Sequence, residues 1–146
     1  MRVGHAGVAL AVRRFFPRIP LWVLAATTYG PDIVEITLRV FGQYNRALSH
    51  SLVSVGIAAT LSALAYALAK RSVADAAAVW LLYVSHWPAD FITGTKATWP
   101  GGPEVGLNLY DLHPVLVWFV DFGVLIAGWL FYRTRPAGER SERFGG

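Results

Sequence analysis

Five apolar runs constrain the fold of this chain more than any other feature. They cover residues 3–16, 20–40, 51–69, 73–93 and 112–132. A helix that crosses a bilayer needs about 20 mainly apolar residues, so the first run is too short to cross comfortably. Because the hydrocarbon core offers unpaired backbone groups no partner, the runs should be helical. We predict an all-α fold: a polytopic membrane protein of the cell membrane with four to five transmembrane or membrane-embedded helices.

The composition agrees with a membrane protein. Only 15% of the 146 residues are charged and 55% are hydrophobic, whereas soluble domains average about 25% charged residues. The length suits a single domain, which we place at residues 1–132, followed by a polar tail at 133–146 that we expect to be mobile. The chain has no cysteine, which excludes disulfides and thiolate metal sites.

The net charge of +4 reflects basic residues at the ends of apolar runs. We interpret them as topological anchors and predict no nucleic-acid partner. With five segments and the N-terminus outside, the inner side receives Arg13, Arg14, Arg18, Lys70, Arg71, Arg133, Arg135, Arg140 and Arg143. The outer side receives Arg2, Arg39, Arg46 and Lys96. If the first run only lies on the surface, four helices cross and the N-terminus is inside.

The sequence around His86 and Asp90 is the strongest chemical signal. The two residues are four apart near the end of an apolar run, so on a helix they share one face. Imidazole nitrogen and carboxylate oxygen can then converge on one cation. Pro88 lies between them and either opens a cavity by kinking the helix or disturbs the ligand geometry.

Three further polar residues interrupt apolar runs. Asp32 follows a helix-breaking Gly-Pro pair, His50 lies between two serines, and His5 opens the first run. Ionisable groups are expensive at membrane depth, which makes them candidates for function. The alternatives are that Asp32 and Glu35 are solvated in an interfacial loop and that His50 is an interfacial or capping residue. The five-segment arrangement favours a functional site over these alternatives, because it brings these groups and the long loop at 94–111 to one side of the membrane.

Other polar residues near the runs have structural interpretations. Ser72 with Asp75 suits a helix cap, and Asp111 with Pro114 suits the start of the last helix. Asp121 lies well inside the last run, and three roles are open to it. It is a metal ligand, an acceptor for a histidine N–H, or a partner for an arginine.

Several short motifs resemble those of the membrane-bound metal-dependent hydrolase family. That family includes LexA-binding inner-membrane hydrolases and is distantly similar to zinc-dependent phospholipase C. The matching pieces are Gly4-His5, Pro31-Asp32, Ser49-His50-Ser51-Leu52, Ser85-His86-Trp87 with Asp90, Trp99-Pro100-Gly101-Gly102-Pro103 and Gly106-Leu107-Asn108-Leu109-Tyr110. The resemblance covers nearly the whole chain up to Tyr132. It implies that the metal-binding positions are His5, Asp32, His50, His86 and Asp90.

Two departures from the family pattern bear on the number of metals. Relatives carry another histidine shortly after the position of Asp90, where this chain reads Phe-Ile-Thr-Gly-Thr-Lys at 91–96. Some also carry a glutamate in the last helix, near the position of Asp121. The first departure counts against a full two-metal site.

The resulting hypothesis is a membrane-bound metal-dependent hydrolase. Its partner is membrane lipid, and its substrate is a phosphoester or a lipid-like molecule. The ligand set fits zinc, with manganese or iron as alternatives. Asp32 or Asp90 would act as the general base, and Arg46 and Lys96 would neutralise a phosphate, unless these cations are only snorkelling interfacial residues. The main alternative is a non-enzymatic protein that transports or senses metal ions or protons. A third is a structural subunit whose polar residues pair helices.

Overall fold

The computed structural model describes residues 3–134, and within them the chain is mainly helical. The helices are α1 (Gly4–Phe15), α2 (Leu21–Thr28), α3 (Gly30–Val40), α4 (Ala47–His50), α5 (Leu52–Lys70), α6 (Val73–Val84), α7 (His86–Thr93), α8 (Leu109–Leu112) and α9 (Pro114–Arg133). A two-residue antiparallel hairpin, β1 (Lys96–Ala97) with β2 (Glu104–Val105), lies in the long loop. The predicted helical fold class is therefore confirmed, with a small hairpin that the sequence did not predict.

The predicted interruptions of the apolar runs fall close to where the helices end. The second run divides at Tyr29, between α2 and α3. The fourth divides at Ser85 rather than at Pro88. Pro88 is the third residue of α7, where the missing N–H has no acceptor within the helix in any case. Pro88 therefore leaves His86 and Asp90 on one continuous helix.

Helix caps explain two of the other boundaries. The Ser72 side chain accepts a hydrogen bond from the backbone N–H of Asp75 and begins α6 as predicted. Ser51 caps α5 by accepting from the N–H of Ser54, so His50 belongs to the short helix before it. Asp111 was expected to start the last helix, but it lies in α8 and accepts from the Asn108 side chain.

The long apolar helices pack side by side in one sequence of neighbours. α9 packs on α1, α1 on α2, α2 on α6, and α6 on α5. Small and aliphatic side chains fill the space between these helices, among them Ala9, Leu24, Val79 and Leu82. A second cluster around Val55, Ala59 and Tyr83 joins α5 to α6.

Two glycines allow α1 and α9 to touch through their backbones. A methyl group added to Gly7 would overlap the α9 backbone around Val124, and one added to Gly128 would overlap the carbonyl of Gly7. Such small-residue contacts are typical of helices that associate inside a membrane, where close van der Waals packing replaces the hydrophobic effect.

Two helices in the described part, α5 and α9, are long and apolar enough to cross a membrane. Only 17% of the apolar window of each is buried inside the protein. The core helix of a soluble protein would be mostly buried, so both helices present apolar surface that needs another covering. α1, α2 and α6 are shorter.

The helix ends divide the molecule into two chemically different ends. The N-termini of α1, α5 and α9 share one end with the C-termini of α2 and α6, and we call it the site end. The opposite end, which we call the basic end, carries Arg13, Arg14, Arg18, Lys70, Arg71 and Arg133. Most of the predicted tail, from residue 135 onward, lies outside the described residues, and Arg133 itself belongs to α9.

Candidate metal centre

All five predicted ligands meet at the site end. His5 lies in the first turn of α1, Asp32 in the first turn of α3, His50 at the end of α4, and His86 and Asp90 on α7. Three overlapping groups each bring their ligand atoms within 4.8 Å of one another: His5 with Asp32 and His86, His50 with His86 and Asp90, and Asp32 with Glu35 and His50. Four separate stretches of the chain therefore supply one compact cluster.

The backbone fixes which nitrogen of His86 carries the proton. Nδ1 lies 2.9 Å from the carbonyl oxygen of Thr28, to which it can only donate, so the lone pair of the neutral ring is at Nε2. Nε2 is buried and has no hydrogen-bond partner within residues 3–134. It lies 3.4 Å from Asp90 Oδ2 and 3.9 Å from Asp32 Oδ1. A lone pair that faces two carboxylates is repelled unless a proton or a metal cation lies between them.

His50 is held in the same tautomer by a side chain. Ser49 Oγ donates to the carbonyl of Arg46 at 3.1 Å, and therefore accepts from His50 Nδ1 at 2.8 Å. His50 Nε2 then faces Asp32 Oδ1 at 3.2 Å and Asp90 Oδ2 at 3.8 Å. Ligand histidines in metalloproteins are oriented in this way by an acceptor at the other ring nitrogen.

His5 completes the set of buried imidazoles. Its ring stacks on that of His86 with 4.2 Å between centroids, and it meets the Tyr29 ring in a T-shaped arrangement with 5.7 Å between centroids. Its Nε2 is also buried without a hydrogen-bond partner among the described residues. The stacking brings a third nitrogen beside Asp32 and His86.

Asp121 positions His5 from a distance. This carboxylate is fully buried and accepts hydrogen bonds from the backbone N–H groups of Gly4 at 2.7 Å and Val3 at 3.0 Å. A carboxylate at this place satisfies free donors of α1 and complements the positive end of the helix dipole. This role adds to the three left open for Asp121, because the residue caps one helix from another helix.

Lys96 and the histidines keep the two aspartates ionised. Burial by itself would raise the pKa of Asp90, but His86 and the Lys96 ammonium, 3.2 Å from Oδ2, lower it well below its usual range. Burial is the largest single effect on Asp32 and opposes its ionisation, but His50 and His86 together outweigh burial and lower the pKa of Asp32. Both carboxylates are therefore available to a cation at neutral pH.

Glu35 joins the cluster, although the sequence placed it only near Asp32. Its Oε1 accepts from Arg39 at 2.6 Å, its Oε2 accepts from Arg46 Nε at 3.1 Å, and Oε2 also lies 3.5 Å from His50 Nδ1. The alternative of two solvated carboxylates does not describe this arrangement. The three-residue spacing from Asp32 was the signal that could have found it.

A cavity of about 720 Å³ opens beside the cluster. Arg46 and Lys96, the two predicted substrate-binding cations, both line it together with Asp32 and Asp90. Its other walls come from Glu35, Ile36, Arg39, Thr93, Gly94, Thr95, Asn108 and Tyr110. A ligand in this cavity would touch both the carboxylates and the cations.

The supporting acceptors could not be found from sequence. Ser49 is next to His50, but its orientation depends on the α4 backbone. The Thr28 carbonyl is a main-chain group 58 residues away from His86, and no side-chain pattern marks such a group.

Comparisons of the chain with known protein families, with curated proteins and with solved structures found no match. The resemblance to membrane-bound metal-dependent hydrolases therefore stays a prediction that rests on the quoted motifs.

Proposed function

We propose that this chain is a membrane-bound metal-dependent hydrolase that cleaves a phosphoester. The observation that carries the proposal is the pair of buried histidines whose Nδ1 atoms are satisfied while both Nε2 lone pairs face Asp32 and Asp90. That donor set fits zinc, with manganese or iron as alternatives. A divalent cation bound there would supply a water whose pKa is lowered to about 7 and would polarise the scissile group.

The chain's own residues divide the remaining work. Asp90 is buried between His86, His50 and Lys96, which suits a ligand. Asp32 is about one-third exposed and lines the cavity, which suits a base that takes a proton from water. Lys96 and Arg46 line the same cavity and would neutralise the phosphate. The water oxygen bonds to phosphorus, one P–O ester bond breaks, and the proton ends on the leaving alcohol.

The membrane location is part of the same proposal. We propose that α5 and α9 cross the bilayer and that α1, α2 and α6 are embedded beside them, which gives five embedded segments in a multi-pass protein of the cell membrane. Exposed aromatic side chains near both ends support this, with Trp22 and Trp129 toward the basic end and Tyr44 and Trp99 toward the site end. Such aromatic belts mark the two lipid–water boundaries.

The packing between the two ends supports hydrolysis over transport. A transporter needs polar groups along a path across the membrane. Between the cluster and the basic end, the buried side chains of α1, α2 and α6 are mainly apolar, among them Ala9, Leu24, Val79 and Leu82. The titratable groups of the cluster are instead gathered at one end, beside an open cavity.

Metal content tests the proposal directly. Elemental mass spectrometry on detergent-purified protein should find near-stoichiometric metal, which His86→Ala and Asp90→Ala should lose while they remain folded. His113→Ala and Asp111→Ala are matched controls, because both residues are exposed and lie outside the cluster. Both controls should keep the metal.

Turnover separates the enzyme from the alternatives. The metal-loaded protein in detergent should hydrolyse bis(p-nitrophenyl) phosphate, and Asp32→Asn should lose activity more than it loses metal. A parent protein that binds no metal after reconstitution would contradict the proposal. Metal flux in sealed vesicles without turnover in detergent would favour transport instead.

A further inference from the structure

α3 carries an exposed apolar face that nothing in the described part of the chain covers. Ile33 and Ile36 recur with Val40 at helical spacing, and Phe41 follows directly. The four side chains are 47%, 64%, 77% and 77% exposed, respectively. α3 packs on α2 and α4, and the polar side of the helix, with Glu35 and Arg39, lines the cavity.

The one polar residue on that face has its hydrogen bond satisfied within the helix. Thr37 Oγ1 donates to the carbonyl of Ile33 at 2.8 Å. The face therefore presents no hydroxyl proton that needs water, and its surface suits hydrocarbon. A helix with one apolar face and charged residues on the other is typical of segments that lie in the plane of a membrane interface.

The apolar face and the cavity share an edge. Ile36 belongs to the exposed face and also lines the cavity, and Arg39 lines the cavity from the same helix. Arg46 and Lys96 add positive charge to the cavity wall. An apolar rim beside a cavity that holds cations and metal-type ligands matches a molecule with an anionic head and hydrocarbon chains.

We propose that α3 lies in the lipid–water interface and that the cavity receives the phosphate headgroup of a membrane phospholipid. The headgroup enters the cavity past the Ile36 side chain. The inference rests on the proposed hydrolase function and names its substrate class. The occupant is lipid because α5 and α9 are long and apolar enough to cross a bilayer and leave most of their apolar surface exposed, and the exposed face of α3 lies at the site end, where both of these helices begin. The lipid chains stay in the bilayer while the phosphodiester reaches Asp32 and Asp90.

The depth of α3 is measurable because the chain contains no cysteine. Single bimane-labelled cysteines would be placed by Val40→Cys on α3, Ile57→Cys on the exposed side of α5, and Glu104→Cys on the hairpin. The protein would be reconstituted in phosphatidylcholine vesicles that carry spin labels near the headgroup or deep in the acyl chains. We expect shallow labels to quench position 40 most, deep labels to quench position 57 most, and aqueous iodide to quench position 104.

Two results would overturn the location of α3. If iodide quenches position 40 as strongly as position 104, the face lies in water. If the unlabelled Val40→Cys variant forms disulfide-linked dimers and the labelled variant escapes the lipid quenchers, a second copy of the chain covers this face.

Activity tests the substrate class separately. The double variant Val40→Asn with Phe41→Asn should lower hydrolysis of phosphatidylglycerol in vesicles by about tenfold, because it removes apolar contacts with lipid. Turnover of bis(p-nitrophenyl) phosphate should be unchanged. Val73→Asn is the matched control, since Val73 is equally exposed at the basic end, and it should affect neither reaction.

The two proposals fail in different ways. Absence of metal and of any turnover would reject the hydrolase, whatever the depth of position 40. Two other outcomes would reject only the proposed access from the membrane and leave the hydrolase standing. In both, the parent protein turns over the soluble phosphodiester. The double variant then either loses both activities equally or hydrolyses vesicle lipid as fast as the parent.

Discussion

The hydrogen bonds at Nδ1 decide what the buried histidines can do. Ser49 and the Thr28 carbonyl each accept from one ring, and both Nε2 atoms are left facing Asp32 and Asp90. Acceptors at the second ring nitrogen raise the basicity of a ligand histidine and hold its orientation. Ser49 should therefore influence metal affinity although it does not approach the metal.

Replacing Ser49 tests this role. We expect Ser49→Ala to weaken zinc binding by about 10- to 100-fold, because His50 loses the acceptor that fixes its tautomer. Ser54→Ala is the control, since its hydroxyl donates to the carbonyl of Ala47 in the preceding helix and has no hydrogen bond to an imidazole. Competition with a fluorescent zinc chelator would measure both, and equal affinities would contradict the role of Ser49.

The pH dependence of metal binding separates imidazoles from carboxylates. The pKa values of Asp32 and Asp90 are lowered. A carboxyl group whose pKa is lowered on folding stabilises the fold above its unfolded value near 4, and that stabilisation disappears only as the pH falls through the folded pKa. Both groups therefore stay ionised from about pH 7.5 down to about pH 5.5.

Zinc affinity should nevertheless fall over that interval. Histidine ligands must be neutral to bind zinc, so each one that takes up a proton in this interval weakens the binding and releases that proton when the metal binds. Isothermal titration at several pH values would measure the decrease, together with the protons released on binding. A constant affinity over this range would mean that no ligand histidine takes up a proton in it.

At the scale of elements, the contact between α1 and α9 places the first imidazole. Gly7 and Gly128 bring the two backbones together, and Asp121 holds the N-terminus of α1 next to His5. α1 places His5 without being long enough to cross a membrane, because its contacts with α9 fix its position along that helix. One helix pair therefore carries both the close backbone contact and the geometry of the site.

A methyl group at Gly128 should separate these helices. We expect Gly128→Ala to destabilise the protein by about 1–3 kcal/mol through overpacking against the Gly7 carbonyl, and to weaken metal binding by displacing His5. Gly123→Ala on the same helix is the control, because its added methyl group meets nothing within 4 Å. Thermal unfolding in detergent, followed by metal analysis, would measure both, and equal melting temperatures would contradict the close packing.

At the scale of the whole molecule, charge is divided between the two ends. Arg13, Arg14, Lys70 and Arg71 lie at the basic end, whereas the cations that the described residues place at the site end, Arg39, Arg46 and Lys96, form ion pairs with acids. Basic residues next to membrane helices favour the inner side. The candidate metal centre should therefore face outward.

Chemical labelling of intact cells tests the orientation. A membrane-impermeant maleimide should label Glu104→Cys on intact cells, but label Lys70→Cys only after permeabilisation. The order follows from the distribution of basic residues between the two ends. The reverse pattern would place the candidate metal centre inside the cell.

The sequence by itself determined the helical class, most helix boundaries and the identity of the clustered polar residues. Apolar runs, caps such as Ser72 and the i, i+4 pair of His86 and Asp90 are local patterns, and local geometry is enough to interpret them. Only the tertiary structure decided which groups support the site. The Thr28 carbonyl, the role of Asp121 and the place of Glu35 depend on contacts between segments far apart in the chain, and no periodicity in a single sequence encodes such contacts.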